Sequence, residues 1–181
     1  MKAMLFQQLV DLYGNVPFSD ALKGLGSLAP KFDDQKAIYE ALIPLLDTAI
    51  ADLKANPFTG SFGSADISRA GALGGGSTTK WIKFANSLKM RILIRQSRIH
   101  GKSAYIIPQI QKILTEGTGF LGAGEDFGIN PGYIASTGKQ NPLYDRFAYA
   151  PDGSTRALAR FPRPTKYLFD ELIARNDTFQ I

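Results

Sequence analysis

Residues 79–99 read TKWIKFANSLKMRILIRQSRI, and they carry the strongest helical pattern of the chain. Large apolar side chains recur at about 100° per residue, which predicts a helix with one continuous apolar face. That face contains Trp81, Phe84, Ala85, Leu88 and Ile92. Ile82, Met90 and Leu93 lie well round the other side. A helix that is apolar on two sides is expected to be buried between neighbouring elements.

The rest of the chain adds helices and loops but no convincing strand pattern. Helical spacing predicts further helices at about residues 2–13, 33–54, 107–116 and 164–175. Pro44 falls inside the helix over 33–54, where we expect a kink, and Pro108 fits the first turn of the helix over 107–116. Residues 117–162 form a loop-rich region of Gly, Pro, Asn and aromatic residues without a regular period. The predicted fold class is all-α, with helix pairs joined by long irregular loops.

Composition excludes several classes of enzyme. The 181 residues include no cysteine and one histidine, His100. A disulfide framework, a thiolate zinc site, a cysteine nucleophile and a metal site with two histidines are therefore excluded within the chain. A catalytic triad would depend on His100, and the sequence marks no acid and nucleophile beside it. We therefore expect no catalytic residues, no metal and no cofactor.

Three glycine-containing motifs match known signatures, but their surroundings do not fit. Residues 117–122 (GTGFLG) match the dinucleotide fingerprint, yet a predicted helix precedes them where a strand is required. Residues 71–76 (GALGGG) have the glycine spacing of a phosphate-binding loop but are followed by Ser77, not lysine. Residues 126–128 (DFG) lack the other kinase motifs. None of the three predicts nucleotide chemistry here.

The positive charge is concentrated in one segment. Lys and Arg number 21 against 16 Asp and Glu, and no acidic residue occurs between Asp66 and Glu116. A basic stripe follows the predicted helix at Lys80, Lys83, Arg91, Arg95 and Arg98. Such a stripe can bind nucleic acid, but arginines at the edge of an apolar face more often pair with acids of neighbouring helices. We expect Arg91 to be buried and paired. Its candidate partners are Asp11, Glu40 and Asp47.

Aromatic rings alternate with amide and guanidinium side chains within residues 117–150. Aromatic rings can stack on the apolar faces of sugars, while amides and guanidinium groups can bind hydroxyl groups. The candidate ligand-binding residues are Tyr133, Asn141, Tyr144, Arg146 and Phe147. Tyr144 and Phe147 are three residues apart, so one helical turn would place both rings on one side. The same rings could instead pack onto the helices as part of an irregular core.

Five segments resemble motifs of the SusD/RagB family, in the family's order. They are residues 11–21 (DLYGNVPFSDA), 31–39 (KFDDQKAIY), 80–91 (KWIKFANSLKMR), 141–144 (NPLY) and 170–177 (DELIARND). The chain departs from the family pattern after Asp177, where Thr178 and Phe179 stand in place of Pro-Arg. The matched motifs are mostly scaffold positions, so the resemblance assigns no ligand residue.

The resemblance implies tetratricopeptide-like helix pairs that support a loop-rich ligand-binding region. It further implies a surface lipoprotein of the outer membrane in Bacteroidota, which works in nutrient uptake and polysaccharide utilisation. Such proteins capture starch or another glycan, or in some members peptide, for a SusC-like TonB-dependent transporter, without catalysis. The family's signal peptide and lipid-bearing cysteine are not found in this sequence, so we expect an interior piece of a protein of several hundred residues.

Two alternatives stay open on the sequence alone. A helical-repeat scaffold that binds only other proteins would show the same helix pairs. A basic helical domain that binds nucleic acid would show the same stripe of lysine and arginine, although we expect no nucleic acid as a partner.

Overall fold

A computed structural model describes residues 1–60, 77–125, 127–128 and 132–175. The helices are α1 (Lys2–Tyr13), α2 (Gln35–Ala55), α3 (Thr78–Arg95), α4 (Ser103–Glu116), α5 (Pro142–Phe147) and α6 (Lys166–Ala174). A short 3-10 helix adds Gly24–Gly26. Within the described ranges, β-pairing is limited to two isolated bridges, Val16 with Asp33 and Tyr149 with Thr155. The fold is all-α, as predicted.

The main differences from the predicted helices concern the start of α4, the end of α3 and the presence of α5. Helix α4 begins at Ser103, so Pro108 lies inside the helix and not in its first turn. Helix α3 ends at Arg95, and residues 97–102 form turns, although apolar spacing continued to Ile99. Helix α5 lies inside the segment 117–162 that we predicted as loop. Its six residues are too few for a period to be recognised.

The chain divides into two compact units, Met1–Asn130 and Pro131–Ile181. Helices α1 to α4 belong to the first unit, and α5 and α6 belong to the second. In the first unit each helix packs on its neighbour in sequence, α1 on α2, α2 on α3 and α3 on α4. This is the tetratricopeptide-like arrangement of helix pairs.

The core of the first unit is built around α3, which is buried on two sides. Leu42 of α2 and Ile92 and Leu93 of α3 are fully buried. Ile106 and Ile113 of α4 pack into the same cluster. The prediction that α3 lies between neighbours is therefore confirmed, since it contacts both α2 and α4.

The loop between α1 and α2 is held by side chains from the two family-like segments that flank it. The Asn15 side chain accepts a hydrogen bond from the Gln35 N–H at 2.9 Å. The Asp33 carboxylate accepts from the N–H groups of Ser19 at 2.7 Å and Phe18 at 2.9 Å. These bonds lower the pKa of Asp33, with the Ser19 N–H as the largest cause. The segments 11–21 and 31–39 therefore bind each other, which gives a physical reason for their occurring together.

Most cations of the basic segment are paired with carboxylates on other elements. Asp47 of α2 binds Lys89 of α3 and Lys112 of α4. Other pairs join Asp11 with Arg95, Glu40 with Lys102 and Glu125 with Lys83. Of the five stripe residues, Lys83 and Arg95 are paired, and no ion pair is found for the other three among the described residues. The structural interpretation of the basic stripe therefore holds for part of it.

The expectation for Arg91 was wrong. Arg91 is exposed on α3, on the same side as the exposed Ile94 and Arg95, and no ion pair is recorded for it among the described residues. The buried cation of α3 is Lys89, which is 2% exposed. The three carboxylates proposed for Arg91 bind other cations: Asp47 binds Lys89, Asp11 binds Arg95 and Glu40 binds Lys102.

Glu116, the last residue of α4, collects donors from three parts of the first unit. Its carboxylate accepts from Asn86 at 2.6 Å, from Lys54 at 2.6 Å and from the Thr118 N–H at 3.1 Å. Burial favours the neutral acid, but the hydrogen bonds from Lys54, Thr118 and Asn86 outweigh it and lower the pKa of Glu116 to about 2.

We expect Glu116→Gln to destabilise the protein at neutral pH by about 1–2 kcal/mol, because it removes charge-assisted hydrogen bonds. A depressed folded-state pKa gives stability that is present above the ordinary pKa of 4.5 and is lost as pH falls through about 2. The difference between wild type and variant should therefore shrink in urea unfolding as the pH is lowered over that range. A difference that is constant with pH would contradict this account. Glu171→Gln, which removes an exposed pair with Arg175, serves as control.

Candidate functional site

The predicted ligand residues all lie in the second unit, and the structure divides them between two recesses. Tyr133, Asn141 and Tyr144 line a recess of about 540 Å³, together with Ile134, Ala135 and Gln140. We call this the aromatic recess. Arg146 lines a second recess of about 510 Å³, together with Pro142, Asp145, Arg156, Ala157 and Leu158. We call this the basic recess. Phe147 lines neither recess.

Local sequence builds the aromatic recess from a tight turn and a capped helix. Backbone bonds between Ile134 and Lys139 close the turn, and Gly138 has a positive φ of 73° that suits glycine. The side-chain oxygen of Asn141 accepts from the N–H groups of Leu143 at 3.0 Å and Tyr144 at 3.3 Å. Asn141 therefore starts α5 as its N-cap, and the ring of Tyr144 follows on its first turn.

The tyrosine rings at this site are partly exposed and available for contact. Tyr133 is 41% exposed, and Tyr144 and Tyr149 are each 49% exposed. The rings of Tyr144 and Tyr149 lie 6.3 Å apart with a tilt of 47°. Gln140 donates a hydrogen bond from Nε2 to the Tyr149 carbonyl at 3.3 Å, which ties the two ends of the recess together.

Sequence analysis missed four contributors to this region. Ile134, Ala135 and Gln140 line the recess, and Tyr149 extends its aromatic surface. Tyr149 carried the same aromatic signal as Tyr144, but it lies outside the helical turn that we used to group the rings. Ile134 and Ala135 carried no local signal, because only the turn over residues 134–139 brings them beside Asn141, whereas Gln140 directly precedes Asn141 in the sequence.

The basic recess lies against residues 142–146 of α5. Arg156 pairs with Asp145 and also donates its backbone N–H to the Ala148 carbonyl at 2.9 Å. The guanidinium carbon of Arg146 lies 5.8 Å from the centre of the Phe147 ring, within the range of a cation–π contact. The Phe147 ring therefore packs against the guanidinium group of Arg146. The sequence analysis had grouped this ring with Tyr144 as a surface for stacking on the ligand.

The polar cavity of the first unit is lined by side chains that hydrogen-bond to one another. It encloses about 280 Å³ beside Asp11, Tyr39, Arg95 and Gln96. Asp11 accepts from Tyr39, from Gln7 and from Arg95, the last at 3.1 Å. Burial first and the Asp11 hydrogen bond second raise the pKa of Tyr39 to about 12. The network joins α1, α2 and α3, and the buried Oε1 atom of Gln7 has no hydrogen-bond partner among the described residues.

The other motifs show no catalytic arrangement in the part of the chain that the structure describes. Gly117 ends α4 with a left-handed φ of 82°, so GTGFLG follows a helix and is not a dinucleotide loop. GALGGG and Asp126 of the DFG triplet lie outside the described residues. His100 is exposed in the turns after α3. Among the described residues, no cluster of His, Asp and Glu could hold a metal ion, and no helix could cross a membrane.

Several known structures share this fold. A SusD homolog from Bacteroides uniformis is 26% identical, with a TM-score of 0.65 over 81% of this chain and 28% of its own. A SusD-like protein from Bacteroides thetaiotaomicron is also 26% identical, with a TM-score of 0.52 over 66% of this chain and 23% of its own. A chitin-binding SusD homolog from Flavobacterium johnsoniae is 24% identical, with a TM-score of 0.60 over 77% and 27%, and it supports the fold alone.

The chain spans less than a third of the length of these structures. A search of curated proteins finds no match. The SusD-like family model, described as starch-binding and associating with the outer membrane, matches residues 1–178. That description names binding and no reaction. Because the match covers nearly the whole chain, the chain belongs to the SusD-like family.

Proposed function

We propose that this chain is part of an outer-membrane protein that captures glycans in the aromatic recess. The observation that carries the proposal is the recess itself, in which Tyr133 and Tyr144 flank Gln140 and Asn141. Tyrosine rings offer flat apolar surface for the faces of sugar rings, and the Nδ2 group of Asn141 offers a donor for hydroxyl groups. The family description as starch-binding supports the same ligand class.

The recess is suited to binding and not to cleavage. Glycoside hydrolysis normally needs two carboxyl groups that flank the scissile bond. None of the described residues that line the aromatic recess carries a carboxylate. The role that fits its chemistry is capture of an intact oligosaccharide, without catalysis.

We expect Tyr144→Ala to weaken glycan binding about tenfold, because an aromatic anchor in a recess contributes more than 1 kcal/mol. Tyr133→Ala should have a similar effect, since its ring lines the same recess. Isothermal titration calorimetry with the glycan that the intact protein captures would measure both effects. Circular dichroism should show that the variants stay folded, because Tyr144 is half exposed.

Tyr167→Ala is the matched control for these variants. Tyr167 belongs to the same unit and is 73% exposed, but it lines neither recess. Its removal should leave affinity unchanged. Unchanged affinity in both Tyr133→Ala and Tyr144→Ala would place the glycan site elsewhere in the protein.

The finer proposal is that the protein is a surface lipoprotein that delivers its glycan to a SusC-like TonB-dependent transporter. Its support is the resemblance of the five segments to the SusD/RagB family, together with the description of the family as associating with the outer membrane. Co-purification of the intact protein with such a transporter from outer membranes is the direct measurement.

One observation favours a second role as a protein-binding scaffold. Helix α1 exposes Leu5, Leu9 and Leu12, which recur at four and three residues and form one apolar stripe. The chain spans less than a third of the related structures, so further parts of a longer protein would cover this stripe equally well. The stripe therefore supports a contact with other helices. This second role is compatible with glycan binding in the aromatic recess, because the two use different residues.

A further inference from the structure

We propose that the basic recess binds the anionic group of an acidic sugar, so that the captured glycan carries carboxylate or sulfate groups. This inference rests on the proposed function, because it assigns a second contact to the same ligand. The two recesses adjoin α5: Asn141 and Tyr144 line one, and Pro142, Asp145 and Arg146 line the other. An oligosaccharide that crosses this short helix would reach both.

The charge of the basic recess is unbalanced in favour of an anion. Two guanidinium groups, from Arg146 and Arg156, face a single carboxylate, Asp145. Asp145 pairs with Arg156, which leaves Arg146 without a carboxylate partner among the described residues. The Nε atom of Arg156 is buried and has no hydrogen-bond partner within the described part of the chain. A ligand anion would supply the missing negative charge.

The guanidinium group of Arg146 is more available to an anionic ligand than those of two other surface arginines in the same unit. Its guanidinium group lies over the Phe147 ring, and no hydrogen bond from its N–H groups to another described residue is found. By contrast, Arg163 donates to the carbonyls of Ala159 and Pro162, and Arg175 pairs with Glu171. A planar guanidinium group binds a carboxylate or a sulfate through two parallel hydrogen bonds, which gives both affinity and orientation.

The chain provides a matched control for the charge of Arg146. Arg160 is exposed in the same unit, and its guanidinium carbon lies 5.4 Å from the centre of the Phe161 ring. It therefore has the same charge and the same kind of ring contact, but it lines neither recess. A general effect of positive charge would affect both arginines equally, whereas a site would depend on Arg146.

The test is calorimetry on the intact protein with paired ligands, oligogalacturonate against the neutral galactose oligomer and sulfated against desulfated galactan. We expect the acidic member of at least one pair to bind about tenfold more tightly. Arg146→Met should remove that preference, so that the acidic and the neutral member of the pair bind with similar affinity. Arg146→Lys should restore only part of it, because lysine lacks the planar fork. Arg160→Met should retain it, and added salt should weaken acidic binding alone.

The outcomes separate this inference from the proposed function. Equal affinity for acidic and neutral members, or equal losses in Arg146→Met and Arg160→Met, would overturn the anion site. Tyr144→Ala would still weaken neutral binding in that case, and glycan capture would stand. Failure of every acidic and neutral ligand to bind would count against both proposals. Preference for the uronate pair or the sulfated pair identifies which anion the recess accepts.

Discussion

Asp47→Ala should lower the free energy of unfolding by about 3 kcal/mol, because it leaves the buried ammonium group of Lys89 without its carboxylate. Lys89 is 2% exposed and lies between α2 and α3, whereas Asp47 is near enough to solvent to bind Lys112 as well. Burial raises the pKa of Asp47, but the hydrogen bonds from Lys112 and Lys89 outweigh it and hold the pKa below its ordinary value. The carboxylate is therefore charged at neutral pH, and urea unfolding would measure its loss.

A double variant shows whether the stranded charge is the cause. Lys89→Met keeps most of the side-chain volume and removes the charge, so adding it to Asp47→Ala should recover part of the lost stability. Asp52→Ala on the same helix is the control, because Asp52 is exposed and should change stability by less than about 0.5 kcal/mol. A double variant that is less stable than Asp47→Ala would show that packing, and not charge, decides the effect.

The sequence predicted the helices of the first unit well, because their apolar spacing is read within a single element. It could not predict which cation of α3 is buried. In the sequence, Lys89 cannot be distinguished from a surface lysine. It is buried only because α2 packs against the side of α3 that carries it. Arg91 was preferred because it borders the apolar face on a helical wheel, but a wheel does not show where the neighbouring helix lies.

The candidate site was predicted in part, for a similar reason. Composition alone indicated Tyr133, Asn141 and Tyr144, which line one recess. The oxygen of Asn141 caps α5, so only its Nδ2 group remains to bind a ligand, and its predicted ligand-binding role stays a prediction. Phe147 was grouped with Tyr144 by spacing, but the wall of the recess comes from the turn before α5. No local spacing could show that turn.

Trp81→Ala should destabilise the protein by about 3 kcal/mol and leave glycan affinity unchanged. Trp81 is partly buried and packs on the core of the first unit. Its ring meets Phe84 edge-on at 5.9 Å and Phe127 at 6.0 Å, and these two phenylalanine rings stack at 4.1 Å. Removal of a core tryptophan costs about 3–5 kcal/mol, and the partial exposure of Trp81 places it at the lower end.

The two readouts distinguish a core residue from a sugar-binding platform. Thermal unfolding of Trp81→Ala, followed by circular dichroism, should show a midpoint lowered by about 10 °C. Trp81→Phe should recover most of this loss, because a smaller ring still fills the contact with Phe84 and Phe127. A sugar platform would behave in the opposite way, with an unchanged midpoint and lost affinity. That result would move the glycan site from the aromatic recess to α3, since Trp81 is the only tryptophan of the chain.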